Sequence, residues 1–462
     1  MTPDPMDIRT ACWSARPAGR RAPAGARRVA SRVALALALA VATPAAAQPP
    51  ADAPADSASS TLVFEPAPPD SVDGAPRIEV SGGSDADWLQ TPFGDHLLTD
   101  PGRWRDEGRR PRAGTGFLDY NRVDRLRLGV GFEWQSLEAL HPRIGTRLEY
   151  AFGRDRVLYG IQIEQPLARP GRLSAGVSMV RRTDHPDLQQ TGDFENSLAL
   201  LFGRQDDRDY FEREGAGAYL SWRVPDFSTV SVHGRVDEYR SLPLDRGTRS
   251  WFHRDRALRD NPAVDDGEIR AALVRLERLA RRTRASRAGL YHWIEVERAE
   301  FDSAGEGGVV RRYTRALADL RGVLRLTPAT TLSLRAVAGS ALDGALPRQK
   351  EFVVGGVDGL RAHAFGSVRG DQLALVQAEY EVSLWELNAD TLDAGLSLFA
   401  FVDAGAAWRG RRTAFDIGRQ VFACDGGVGL GTGDDGLRLY FARDLQDPGS
   451  EVVVSLRLQR PF

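Results

Sequence analysis

The feature that most narrows the possible folds is a two-residue rhythm that begins near residue 124 and runs to the C-terminus. Leu126, Leu128, Val130, Phe132 and Trp134 alternate with Arg125, Arg127, Gly129, Gly131 and Glu133. Ile144, Leu148, Tyr150 and Phe152 alternate with Arg143, Gly145, Arg147 and Glu149, and Val157, Tyr159, Ile161 and Ile163 continue the pattern. Successive side chains of a strand point to opposite faces, so each segment reads as a strand with one apolar and one polar face. A soluble sandwich alternates too. Three features favour a transmembrane antiparallel β-barrel. The segments run about ten residues, the length of a tilted membrane-crossing strand. The polar face is rich in charges and glycines, which suits a wet lumen. The N-terminus carries an export signal.

That signal is expected over residues 1–47. Arg20, Arg21, Arg27, Arg28 and Arg32 precede the apolar run Val33–Val41, and Ala45-Ala46-Ala47 supplies a small-residue cleavage site. The apolar run is much shorter than the ~20 residues of a spanning helix. Residues 48–118, rich in Pro, Ala, Asp and Gly, read as a periplasmic linker or tail, and residues 119–462 as the barrel. Cys424 is the one cysteine beyond the signal segment, because Cys12 falls within it. A disulfide framework or a cysteine-based zinc site within one mature chain is therefore excluded. The 61 basic and 63 acidic residues nearly cancel, so nucleic acid is not an expected partner.

The candidate strands number sixteen: 124–135, 143–152, 155–165, 171–182, 195–204, 214–224, 227–239, 267–279, 286–300, 309–325, 329–341, 370–386, 394–406, 421–432, 435–443 and 450–461. An even count is what such a barrel needs. With the N-terminus in the periplasm, the long connections 240–266, 342–369 and 407–420 share the outer side. Pro225-Asp226, Thr327-Pro328 and Gly433-Asp434 make tight inner turns. Two places fit poorly. Residues 183–194 would be a long periplasmic connection. Segment 267–279 has helical spacing at Ile269, Leu273 and Leu276, which leaves fourteen strands or a short helix open. The last strand places Val452, Val454, Leu456, Leu458 and Phe462 on one face.

The parity of two strands singles out a site. Gln377, Glu379 and Glu381 point into the lumen from 370–386, and Phe399, Phe401 and Asp403 do so from 394–406. The loop just before them carries Arg361. A guanidinium can bridge two carboxylates with a rigid fork of donors. Loop 342–369 is therefore expected to fold into the barrel as a lid, with Arg361 pinned between Glu379 and Asp403.

Gly355-Gly356, Leu360-Arg361, Gly370-Asp371 and Glu379-Tyr380 resemble the lid-loop region of the Omp85 superfamily of outer-membrane barrels. Phe401–Gly405 (FVDAG) resembles the strand that receives the lid arginine, and Gly426–Leu445 the family's penultimate hairpin. The likeness covers roughly residues 120–462 and is strongest after 350, and the chain resembles the short members described as bacterial surface antigen D15 or BamA/TamA-like. In this chain Ala362 and His363 follow Arg361, where the family usually has Gly and then Phe or Tyr. The POTRA modules of the family have no visible counterpart in 48–123. The resemblance implies a sixteen-stranded barrel in the bacterial outer membrane that assists insertion, assembly or translocation of proteins. It also implies a seam between the first and last strands, 124–135 and 450–461, and a barrel-type C-terminal signal in Leu456, Leu458 and Phe462. Expected partners are outer-membrane lipids, client barrel or secreted proteins and separately encoded periplasmic subunits. Alternatives are a passive channel gated by the lid, and a structural or surface-exposed protein acting through its outer loops.

Other motifs carry less. Gly431–Gly436 matches a dinucleotide spacing but lies between two strands with no helix to follow. Arg369-Gly370-Asp371 reads as strand entry. The seven histidines show no metal-ligand spacing, and no nucleophile set is apparent, so neither metal, cofactor nor catalysis is expected. The acid-rich stretch 206–209 reads as a solvated mixed-charge loop rather than a weak cation site.

Overall fold

The structure is a computed structural model. It describes residues 115–458, except 136–139, 169–171, 187–190, 207, 225–227, 254, 279–287, 306–309, 390–391, 411–419, 433–436 and 448. The expected signal segment, nearly all of 48–118, the turns Pro225-Asp226 and Gly433-Asp434, and Phe462 lie outside the described residues. Among the described residues no helix is long and apolar enough to cross a membrane.

The chain forms one sixteen-stranded antiparallel sheet in which each strand pairs with its sequence neighbours. The strands are β1 (Thr115–Asn121), β2 (Arg125–Gln135), β3 (Arg143–Ala151), β4 (Arg156–Pro166), β5 (Leu173–Asp184), β6 (Phe211–Arg223), β7 (Thr229–Ser241) and β8 (Gly267–Glu277). Then come β9 (Gly289–Ser303), β10 (Val310–Thr327) and β11 (Thr330–Asp343). A small hairpin, β12 (Phe352–Val354) with β13 (Val368–Gly370), is separate from the sheet. The sheet resumes with β14 (Gln372–Ala389), β15 (Leu392–Trp408), β16 (Ala423–Thr432), β17 (Arg438–Asp444) and β18 (Val453–Arg457). One helix, α1 (Asp193–Gly203), sits in the β5–β6 connection.

The count of sixteen holds, but two members of the expected set change. Residues 195–204 form α1, not a strand. Its apolar residues Leu198, Leu200 and Phe202 alternate, yet Phe194, Leu198, Leu201 and Phe202 also follow helical spacing, and a run this short satisfies both periods. Asp193 and Glu195 favour its N-terminal turn. The missing strand is β1, inside the segment read as a tail or just beyond it. It turns into β2 through Asn121, whose side-chain oxygen accepts the Val123 and Asp124 amides at 3.1 and 2.7 Å, an Asx-type turn. The first seam strand is therefore β1 in place of 124–135, while the last, β18, falls within the expected 450–461. The shift also removes the awkward periplasmic connection. Residues 185–210 now join the fifth strand to the sixth, on the same side as the other long connections.

Of segment 267–279, Gly267–Glu277 is a strand. Its broken alternation has a packing cause, because Ile269, Ala271 and Leu273 face inward and are buried, followed by Arg275 and Glu277. Near the loop end, inward positions of many strands are apolar. Ile269, Phe301, Tyr313, Leu317, Val337, Leu373 and Leu375 form one cluster with Phe352, Val354 and Leu360 of the β11–β14 connection. Beside β6–β14 the lumen is thus apolar near the loops and ionic beyond, while toward β1–β5 it is ionic at the loop end too. The outward positions are apolar and exposed, among them Leu128, Val130, Leu148, Ile161, Val232, Val274, Val296, Val376, Leu398, Val402, Val428 and Leu456. Leu456 joins that belt, and Leu458 lies half-buried just past β18. An apolar exterior around a polar, packed interior defines a transmembrane barrel.

A charge on the belt should cost far more than one at the loop end. Val376→Arg is expected to lose about 2–4 kcal/mol of stability, read from urea unfolding in phospholipid bilayers. Arg312→Ala, on an exposed side chain, should leave the midpoint unchanged.

Candidate functional site: a lid held in the lumen

The β11–β14 connection enters the barrel. Its base is the β12–β13 hairpin, paired Phe352–Gly370, Val353–Arg369 and Val354–Val368. Beyond Val354 the backbone turns through Gly355 and Gly356 at φ 113° and 78°, a region glycine enters without steric cost. A Cβ on Gly355 would also come within 2.3 Å of the Ala364 carbonyl oxygen. The Gly356 amide donates to His363 O at 2.7 Å, and His363 N to Leu360 O at 3.1 Å. These bonds curl residues 356–363 into a compact tip. Ala362 keeps a negative φ in that tip, so alanine is tolerated where the resembling family has glycine.

Arg361 is fully buried at the tip. Its Nη1 donates to Glu379 Oε2 at 2.9 Å, and its Nε lies 3.2 Å from Asp403 Oδ2. The second contact is an ion pair without hydrogen-bond alignment. Its guanidinium carbon lies 4.0 Å from the Phe401 ring centre and 4.7 Å from that of Tyr440, within cation–π range. Burial alone would lower the Arg361 pKa; Asp403 and then Glu379 outweigh it, and the group is held above its ordinary value.

The receiving wall is built by register. Glu379 stands opposite Phe401 and Gln377 opposite Asp403 across β14 and β15. Asp403 faces Asp425 on β16, and Gly429 faces Tyr440 on β17. Gly429 is required by close approach, since a Cβ there would sit 2.1 Å from Phe399 Cε2. Glu379 is shared. Arg438 Nη1 donates to its Oε1 at 2.6 Å, Arg438 Nη2 reaches Glu381 at 2.8 Å, and the Tyr440 hydroxyl donates to Glu379 Oε2 at 3.3 Å. Gln377 donates to Asp403 at 3.2 Å and to the Gly359 carbonyl at 2.9 Å.

Other lid residues find partners around the barrel. The Ala362 amide donates to Asp425 Oδ2 at 2.6 Å, and His363 Nδ1 lies 2.8 Å from Asp425 Oδ1. Asp358 accepts from Arg457 of β18 at 2.7 Å and from Thr191 N and Oγ1 at 2.9 Å each. Arg335 forks onto Asp319 at 3.0 and 2.8 Å and reaches the Asp358 carbonyl at 3.3 Å. Lys350, at the lid base, lies 3.1 Å from Glu297, and Arg369 lies 3.1 Å from Asp209.

Gly355, Gly356, Leu360, Arg361, Ala362, His363, Glu379 and Asp403 therefore converge on one interior region. Parity had not singled out Arg438, Tyr440, Asp425 or Asp358. The alternation Arg438, Tyr440, Ala442 on β17 marks its inward face and would have exposed the first two. The expectation for 206–209 fails: Asp206, Arg208 and Asp209 are buried. Asp206 pairs with Arg122, Arg208 with Asp193, and Asp209 with Arg259 and Arg369. His363, Asp425 and Asp444 each offer a ligand atom within 4.8 Å of the others, a set chemically suited to a divalent cation. Here the imidazole spans the two carboxylates, with Nε2 3.6 Å from Asp444.

Fold and site together define a plugged transmembrane β-barrel with an ion-paired lid. No protein-family model matches the chain, and no curated protein matches it in sequence. Among solved structures it is similar to BamA from Haemophilus ducreyi lacking POTRA domains 1–3, at 12% identity over 76% of this chain and 70% of that one, with a TM-score of 0.48. It is also similar to CdiB from Acinetobacter baumannii, at 15% identity over 72% of this chain and 56% of that one, TM-score 0.40. For CdiB from Escherichia coli the identity is 11% over 74% of this chain and 61% of that one, TM-score 0.41. The match spans less than two thirds of either CdiB chain. The fold assignment rests on the strand pairing, and the site on its own geometry.

Removing Arg361 leaves the buried Asp403 without its cation and Glu379 with Arg438 alone. Arg361→Ala is expected to cost about 3–5 kcal/mol, measured as a fall in unfolding midpoint in lipid. Arg361→Lys keeps the charge but not the fork and should recover only part of it. Arg361→Met combined with Glu379→Gln and Asp403→Asn should recover more than Arg361→Met alone; equal stability of the two would contradict the pairing.

Proposed function

We propose that this chain is an Omp85-like barrel of the bacterial outer membrane that assists insertion, assembly or translocation of other proteins. The observation that carries this reading is the inward-folded lid, whose tip binds the last strand of the sheet through Asp358 and Arg457. The strand order runs from β1 to β18, and no backbone pairing joins these two among the described residues. The outward-edge amide of Tyr120 on β1 donates instead to a side chain, Ser197 Oγ, at 2.8 Å. An edge strand with free donors and acceptors is a template on which another strand can pair. The lid supports this reading from inside, because Asp358 at its tip binds Arg457 of the last strand. Movement of the lid therefore bears directly on one side of the seam. Gly355, Gly356, Leu360, Arg361, Ala362 and His363 act as the lid element, Glu379 and Asp403 as its acceptors, and Leu456, Leu458 and Phe462 as the C-terminal barrel signal. Outer-membrane lipid surrounds the apolar belt, and client polypeptides meet the seam.

Depletion in the native host, followed by profiling of outer-membrane and secreted proteins, tests the reading. Loss of many barrels indicates assembly, and loss of a few secreted proteins indicates translocation. An unchanged profile contradicts both and leaves a passive channel. A thiol cross-link joining Leu118→Cys on β1 to Leu456→Cys on β18 should abolish the activity while the barrel stays folded.

A further inference from the structure

We propose that α1 is a membrane-facing wedge. Its polar face reaches from the edge of β1 to Arg457 of β18, and its apolar face lies against the acyl chains of the bilayer. This rests on the barrel fold and not on any role in handling client proteins.

The polar face ties to both edges. Leu126 O accepts from Phe152 N at 2.9 Å, so the backbone groups of Leu126 face β3. Its partner Tyr120 is then a non-hydrogen-bonded pair in the β1–β2 ladder, and the Tyr120 amide points away from β2. Ser197 of α1 meets that amide at 2.8 Å and donates to Asp119 Oδ1 at 2.9 Å. On the other side Glu195 of α1 lies 2.7 Å from Arg457 of β18. Glu195, Asn196 and Ser197 are buried, with Leu200 the one apolar residue of the helix buried beside them. A helix that buries its polar residues and shows its apolar ones has the reverse of the polarity expected beside water.

The outer face is an apolar stripe of the exposed Phe194 and Phe202 and the half-buried Leu198 and Leu201, spaced i, i+4, i+7 and i+8. Phe202 is 45% exposed, and its ring packs edge-on against Trp251 at 5.0 Å and stacked against Phe252 at 6.1 Å. Trp251, itself 60% exposed, donates its amide to Leu201 O at 2.7 Å. The Tyr120 hydroxyl donates to Arg249 O at 2.8 Å and accepts from Arg249 N at 2.9 Å. The aromatic segment is thereby fastened over the outer side of β1.

Two observations commit the occupant to lipid. Tyr120, whose amide α1 meets, shares the outward face of β1 with the exposed Leu118, and Arg457, which Glu195 meets, follows the exposed Leu456 on β18. Its aromatic cluster stands beside the exposed Arg249 and Arg256, the mixture of aromatic rings and cations found at headgroup level.

The test uses the full chain with Cys12 and Cys424 replaced by Ser, one new cysteine (Phe202→Cys or, sparing the aromatic cluster, Ala199→Cys) and an environment-sensitive fluorophore. The protein is reconstituted into phosphatidylcholine bilayers, with Val428→Cys on the belt as calibration. Nitroxide groups on the acyl chains should remove most of the emission at both helix positions, as at Val428→Cys, while aqueous iodide removes little. Quenching by iodide but not by nitroxide overturns the proposal. So does protection from both, which would mean that a polypeptide covers the face.

Discussion

The structure depends on one constraint: a guanidinium taken out of water must meet its counter-charges there. Arg361 is buried completely, and an isolated charge so placed would be prohibitively costly. Glu379, Asp403 and two aromatic rings meet it. Glu379 in turn is divided between Arg361, Arg438 and Tyr440. The lid cannot leave without taking the cation from Asp403 on β15, and neutralising Glu379 on β14 takes a partner from both Arg361 and Arg438. Such a network confers geometric specificity more than net stability. The plug is accordingly best regarded as a registration device that fixes where the tip sits.

The two layers of the lumen beside β6–β14 follow from this. The apolar cluster around Phe352 and Leu360 packs the interior beside the lid, and a lower local dielectric strengthens each ion pair nearby. The ion pairs in turn orient the tip so that its leucine enters the cluster. Asp358 extends the coupling to the last strand through Arg457 and to the approach to α1 through Thr191. Lid, seam and wedge thus share one carboxylate.

Much of this was legible in the alternation. Parity placed Glu379, Asp403, Phe399 and Phe401 on the inward face because strand geometry leaves a side chain only two directions. It also led to sixteen strands, although through two compensating differences at β1 and α1. Those errors share a cause, since short segments at the sheet's ends take their conformation from neighbours that sequence spacing does not reveal. Segment 267–279 was ambiguous for another reason. Where a lid packs inside a barrel, inward positions become apolar, and the contrast between faces fades. The buried acids of 206–209 were misread because a charge-rich stretch looks the same whether water or arginines surround it.

The most direct measurement of the central claim is the accessibility of the lid tip. Leu360 is fully buried, so a cysteine placed there, with Cys424 replaced by Ser, reports whether the tip is inside. With Arg361 intact, a membrane-impermeant maleimide should label Leu360→Cys slowly, and adding Arg361→Ala should make labelling rapid. Rapid labelling with Arg361 intact, or identical slow labelling without it, would contradict an arginine-held lid.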